Sequence, residues 1–109
     1  MKLKQIDNEY TLLKVLKDNP EMTQRELSKE LGLSLGKTNY LMHALMDKGW
    51  VKLTNFRRSN NKIGYLYVLT PEGITEKGIL AKNFLERKSA EYFKLKNEIE
   101  ILKREFERD

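Results

Sequence analysis

Cysteine is missing from this chain of 109 residues, which excludes disulfides, thiolate metal ligands and cysteine nucleophiles. Histidine occurs once, at His43, so a metal centre or catalytic triad would have to be built from carboxylates and hydroxyls alone. With no nucleophile beside a base, no phosphate loop and no metal-ligand spacing, a non-enzyme without cofactor or metal is expected. Long apolar runs are also lacking. No window reaches the roughly 18 uncharged apolar residues that a membrane span needs, and the opening MKLKQIDNEY has no apolar signal core. A cytoplasmic protein without a membrane partner is the expectation. Proline appears only at Pro20 and Pro71, and no stretch is repetitive or rich in Pro, Gly and Ser. Together with one Trp, five Tyr and four Phe, this argues against disorder.

Acid is scarce in one place. The chain carries 21 Lys and Arg against 16 Asp and Glu, a net charge of +5. Residues 1 to 31 hold six of each sign and residues 72 to 109 nine of each, so both flanks are neutral. The whole excess falls in residues 32 to 71, where Lys37, Lys48, Lys52, Arg57, Arg58 and Lys62 face a single acid, Asp47.

Local patterns set the order of elements. Tyr10, Leu12, Leu13, Val15 and Leu16 lie near helical spacing over residues 8 to 17, and Asn19-Pro20 ends that helix. Thr23 with Glu26 forms a capping box for a second helix, whose stripe of Leu27 and Leu31 is closed by Gly32. Ser34 caps a third, with Thr38, Leu41, Met42 and Leu45 facing inward and Gly49 as its stop. Trp50, Val51, Leu53 and Phe56, then Tyr65 to Leu69, have the length and residue types of two strands. The polar tip Arg57-Arg58-Ser59-Asn60-Asn61-Lys62 joins them into a hairpin. Thr70-Pro71-Glu72 opens a last helix that runs to the end, with Gly73 or Gly78 as places where it could bend. The fold class predicted is mainly α with a small β-hairpin (α+β). Residues 1–71 form a winged helix-turn-helix domain and residues 72–109 a long C-terminal helix.

In such a fold the third helix enters the major groove of duplex DNA and the hairpin reaches the backbone or minor groove. The charge sum selects the same segment. The outward face of the third helix carries Ser34, Gly36, Lys37, Asn39, Tyr40 and His43. Gly36 allows close backbone approach, Lys37 can donate to a guanine edge or a phosphate, Asn39 can pair with adenine, and Tyr40 offers a hydroxyl to phosphate. His43 reads as a helix-surface residue near the DNA. Arg57, Arg58 and Lys62 would supply sequence-independent attraction, and Asn60 and Asn61 hydrogen bonds at the groove. Thr23, Gln24 and Arg25 begin a helix, where backbone N–H groups favour a phosphate.

The stretch MTQRELSKELGLSLGKTNY at residues 22–40, then LMDKGWV at 45–51 and YVLTPEGI at 67–74, resembles the winged-helix core of the MarR superfamily. The whole chain most resembles a small subgroup of MarR-type regulators associated with exopolysaccharide genes. The resemblance implies a bacterial, nucleoid-associated transcriptional regulator that binds double-stranded DNA as a homodimer. It implies no particular effector. MarR wings commonly pair an aspartate with an arginine; the segment Asn55-Phe-Arg-Arg-Ser-Asn-Asn-Lys lacks that aspartate, so the contact does not carry over. A protein-interaction adaptor built on the same fold is the alternative.

The C-terminal helix supplies the means of pairing. Leu85, Tyr92, Leu95, Ile99, Leu102 and Phe106 alternate in steps of three and four, with Tyr92, Ile99 and Phe106 at a positions and Leu95 and Leu102 at d. Glu91, Glu98 and Glu105 occupy g, and Lys96 and Lys103 occupy e. A parallel pair sets Glu91 against Lys96 and Glu98 against Lys103 of the other copy, whereas an antiparallel pair sets like charges together. The expectation is a parallel two-stranded coil whose seam begins near Tyr92, because Lys88 occupies the preceding d position.

Overall fold

The computed structural model describes residues 3–57 and 63–108. In chain order it comprises α1 (Leu3–Asp18), α2 (Gln24–Leu31), α3 (Leu35–Asp47), β1 (Val51–Arg57), β2 (Ile63–Leu69) and α4 (Pro71–Arg108). The element order and the α+β class are those expected.

The local signals act as read. Thr23 Oγ1 accepts from the Glu26 N–H at 3.1 Å while Glu26 Oε1 accepts from the Thr23 N–H at 3.2 Å, closing the box that starts α2. Gly32 ends α2 at φ 66°, and Leu33 N–H reaches back to the Ser28 carbonyl at 3.0 Å. At the end of α3 the pattern repeats: Gly49 has φ 78°, and Trp50 N–H reaches the Leu45 carbonyl at 3.0 Å. Both glycines occupy the left-handed position that closes a Schellman motif.

One expectation needs correction. Helix α1 begins at Leu3, not residue 8. The segment before Tyr10 carries little apolar periodicity, and what it rests on lies far along the chain: Asp7 is ion-paired with Arg87, and the Tyr10 ring sits 5.5 Å from that of Phe84. The Asp7 hydrogen bond also raises the Arg87 pKa. Helix α4 runs as a single element through Gly73 and Gly78 for 38 residues, the one long helix expected. Thr70 caps it, its Oγ1 accepting from the Gly73 N–H at 3.0 Å and donating to the Gly49 carbonyl at 2.6 Å.

The strands pair antiparallel from Val51↔Leu69 to Arg57↔Ile63. A further bond from Tyr67 N–H to the Pro20 carbonyl, at 3.0 Å, ties β2 to the α1–α2 link. Leu12, Leu13, Leu16, Leu27, Leu41, Met42, Leu45, Val51 and Leu69 form the core, with Trp50, Tyr67 and Leu80 packed against it. The first half of α4 thus belongs to the same body as α1. Its second half projects, giving the molecule an extent of 73 × 25 × 24 Å. Among the described residues, no helix is long and apolar enough to cross a membrane.

Candidate nucleic-acid interface

Helix α3 is held by its buried face, where Thr38, Leu41, Met42 and Leu45 are each fully covered. That anchoring determines what is presented outward. Ser34 caps the helix, accepting from the Lys37 N–H at 3.1 Å, and Gly36, Lys37, Asn39, Tyr40 and His43 are all exposed. The expected outward residues therefore share one surface. A Cβ placed on Gly36 would meet nothing within 4 Å, so the backbone there faces open space. One member was missed: Leu35, at the first helical position, is 42% exposed. It lies three residues before Thr38, in register with the inner stripe, so its spacing gave no sign of exposure; an exposed aliphatic side chain there suits contact with a thymine methyl group.

At the start of α2, the side chains of Thr23 and Gln24 are engaged within the protein. Thr23 uses its hydroxyl within the capping box, accepting from Glu26 N–H and donating to Glu26 Oε1 at 3.0 Å. Gln24 is half-buried and accepts from Asn39 Nδ2 at 2.9 Å while its own Nε2 donates to the Tyr67 hydroxyl at 3.2 Å. Arg25 alone of the three extends an exposed charged side chain.

The basic surface is also narrower than the residue count implied. Lys48 donates to Glu9 Oε1 and Oε2 at 3.0 and 2.9 Å and lies 4.6 Å from the centre of the Trp50 ring. Its charge is answered inside the body. Lys37 and Lys52 remain exposed. Arg57 ends β1, while Arg58, Asn60, Asn61 and Lys62 lie outside the described residues.

On α4, residues 91–108 are exposed throughout. Leu85, Tyr92, Leu95, Ile99, Leu102 and Phe106 are between 43% and 83% accessible. Shallow grooves follow this seam, one lined by Tyr92, Leu95 and Ile99 and the next by Ile99, Leu102 and Phe106. Phe93 and Ile101 are exposed beside it. Among the described residues, no group of three or more histidines and carboxylates is placed to hold a metal ion.

Comparison with known proteins bears on this arrangement. A family model described as winged helix-turn-helix DNA-binding matches residues 7–52, the span from α1 to the start of β1. The multiple antibiotic resistance repressor MarR superposes on 79% of the chain with a TM-score of 0.62 at 24% identity. The fold is that of MarR-type winged-helix proteins. MepR, a transcription regulator of the Staphylococcus aureus multidrug efflux pump MepA, covers 77% with a TM-score of 0.59 and 17% identity. Streptococcus pneumoniae FabT, solved in complex with DNA, covers 85% with a TM-score of 0.54 and 22% identity. The chain spans 61% of MarR, 61% of MepR and 60% of FabT. Curated protein sequences give no match.

Proposed function

We propose that this chain is a sequence-specific, duplex-DNA-binding transcriptional regulator of MarR type that acts as a homodimer, with α3 in the major groove and the hairpin on the backbone or minor groove. The observation that carries the reading is the outward face of α3. A helix whose buried side is fully covered presents Gly36, Lys37, Asn39, Tyr40 and His43 together, in a segment of the sequence holding one acid. Likeness in fold to FabT, a protein captured on DNA, supports it. Thr23, Gln24 and Arg25 flank that face and Ser34 caps it; Arg57, Arg58, Asn60, Asn61 and Lys62 are assigned to the wing contact.

The exposed seam of Leu85, Tyr92, Leu95, Ile99, Leu102 and Phe106 is assigned to the homodimer. Exposed apolar stripes of that length mark association surfaces, and the charges at its flanks favour a parallel pair. The resemblance to exopolysaccharide-associated regulators extends the proposal to genes of that class, and the protein is placed in the bacterial cytoplasm at the nucleoid.

Binding to mixed genomic duplex at about 50 and about 200 mM salt tests the reading, because phosphate contacts make affinity fall steeply with salt. A discrete, strongly salt-dependent complex is expected. Weak association without sequence preference would favour an adaptor, for which the projecting α4 is the feature that speaks.

A further inference from the structure

Three elements of the winged domain meet through side chains at one point. Asn39 on α3 donates from Nδ2 to Gln24 Oε1 at 2.9 Å, and Gln24 on α2 donates from Nε2 to the Tyr67 hydroxyl on β2 at 3.2 Å. The far end of this chain is firmly placed: Tyr67 packs on the core, and its backbone N–H is bonded to the Pro20 carbonyl at 3.0 Å. Gln24 is held at the first turn of α2 by the capping box just before it. Only Asn39, at the near end, is exposed.

We infer that Gln24 is a positioning residue for base recognition, fixing the Asn39 amide in one orientation from its anchor on Tyr67. An asparagine has two N–H donors and a carbonyl with two lone pairs. With one N–H used on Gln24, Asn39 retains one donor and its acceptor, the pair that adenine N7 and N6 require in the major groove. An exposed asparagine without this tether would lose side-chain rotamer freedom on binding; a tethered one has already lost it. The polarity matters as well. Gln24 presents its oxygen to Asn39 and its nitrogen to the Tyr67 hydroxyl, so both ends of its amide are engaged within the domain. Gln24 therefore acts on sequence preference without touching DNA itself. The inference rests on the proposed DNA-binding reading.

The test uses the full chain and duplexes that it selects from a random pool. Asn39→Ala first identifies the base pair whose preference depends on Asn39. Binding to duplexes carrying each of the four pairs at that position is then compared for four variants: Gln24→Ala, Gln24→Glu, Tyr67→Phe, and Gln24→Ala combined with Asn39→Ala. The loss of one hydrogen bond corresponds to about 2- to 10-fold in discrimination. Gln24→Ala should lower discrimination at that pair by this amount and leave the other positions unchanged, and it should add nothing in the Asn39→Ala background. Tyr67→Phe, which keeps the ring, should lower it at the same pair. Gln24→Glu should keep the discrimination, since a carboxylate accepts from both Asn39 N–H and Tyr67 O–H, while its charge weakens binding to all duplexes alike. Full discrimination in Gln24→Ala, or equal loss in Gln24→Glu and Gln24→Ala, overturns the inference alone. So does an Asn39→Ala chain with unchanged preference at every pair. A wild-type chain that selects no sequence overturns the DNA reading, and this inference with it.

Discussion

Lys48 at the end of α3 bonds both carboxylate oxygens of Glu9 on α1, and the two partners are unequally buried: the Glu9 side chain is 2% accessible and that of Lys48 29%. Removing the lysine leaves a nearly covered carboxylate with only the Gln5 amide, at 3.5 Å, beside it, whereas removing the carboxylate leaves an ammonium that can turn outward. Lys48→Met should therefore destabilise by about 3 kcal/mol, toward the lower end for breaking a buried pair, and Glu9→Met by clearly less. Urea unfolding at neutral pH measures both; equal losses would contradict the asymmetry.

Gly73 and Gly78 lie on the same helix and should respond oppositely to alanine. A Cβ on Gly73 would stand 2.0 Å from the Trp50 carbonyl oxygen, while one on Gly78 would meet nothing within 4 Å. Overpacking at the first site costs about 1 to 3 kcal/mol; at the second, the better helix propensity of alanine gains up to about 1 kcal/mol. Thermal unfolding should show Gly73→Ala melting below the wild type and Gly78→Ala at or above it.

The contributions of wing and α3 are separable by salt. Arg57→Ala with Arg58→Ala should weaken binding to every duplex and flatten the plot of log affinity against log salt by about one unit per lost phosphate contact. Asn39→Ala should leave that slope unchanged and relax sequence preference. An unaltered slope in the double arginine variant would remove the wing from the interface.

For the proposed coil, Lys96→Glu with Lys103→Glu turns each cross-copy Glu–Lys pair into a Glu–Glu pair in a parallel arrangement, and the dimer should weaken in sedimentation. Adding Glu91→Lys and Glu98→Lys should restore it. Each exposed pair contributes only about 0.3 to 0.5 kcal/mol, so the effect is a few-fold per pair and fades at high salt. In an antiparallel arrangement the lysine changes exchange one like-charge contact for another, and the dimer would be unaffected.

What could be read from sequence was what neighbouring residues decide. Thr23 with Glu26, Gly32, Ser34, Gly49 and Thr70-Pro71 each act on backbone groups within a few positions, and each falls where expected. The start of α1 could not be read this way, because the partners of Asp7 and Tyr10 are Arg87 and Phe84. Counting charges overstated the basic surface for the same reason: Lys48 is answered by Glu9, 39 positions away. Sequence marks Gln24 only as a helix-end residue, because its partners Asn39 and Tyr67 are 15 and 43 positions away.

Selection of duplexes from a random pool by the purified chain, followed by sequencing, addresses the central claim most directly. A dimer that places one α3 in the major groove of each half-site predicts an enriched motif of two inverted half-sites about one helical turn apart, of order 10 base pairs centre to centre. A pool that remains unenriched while the protein still binds it would contradict sequence-specific regulation by this fold.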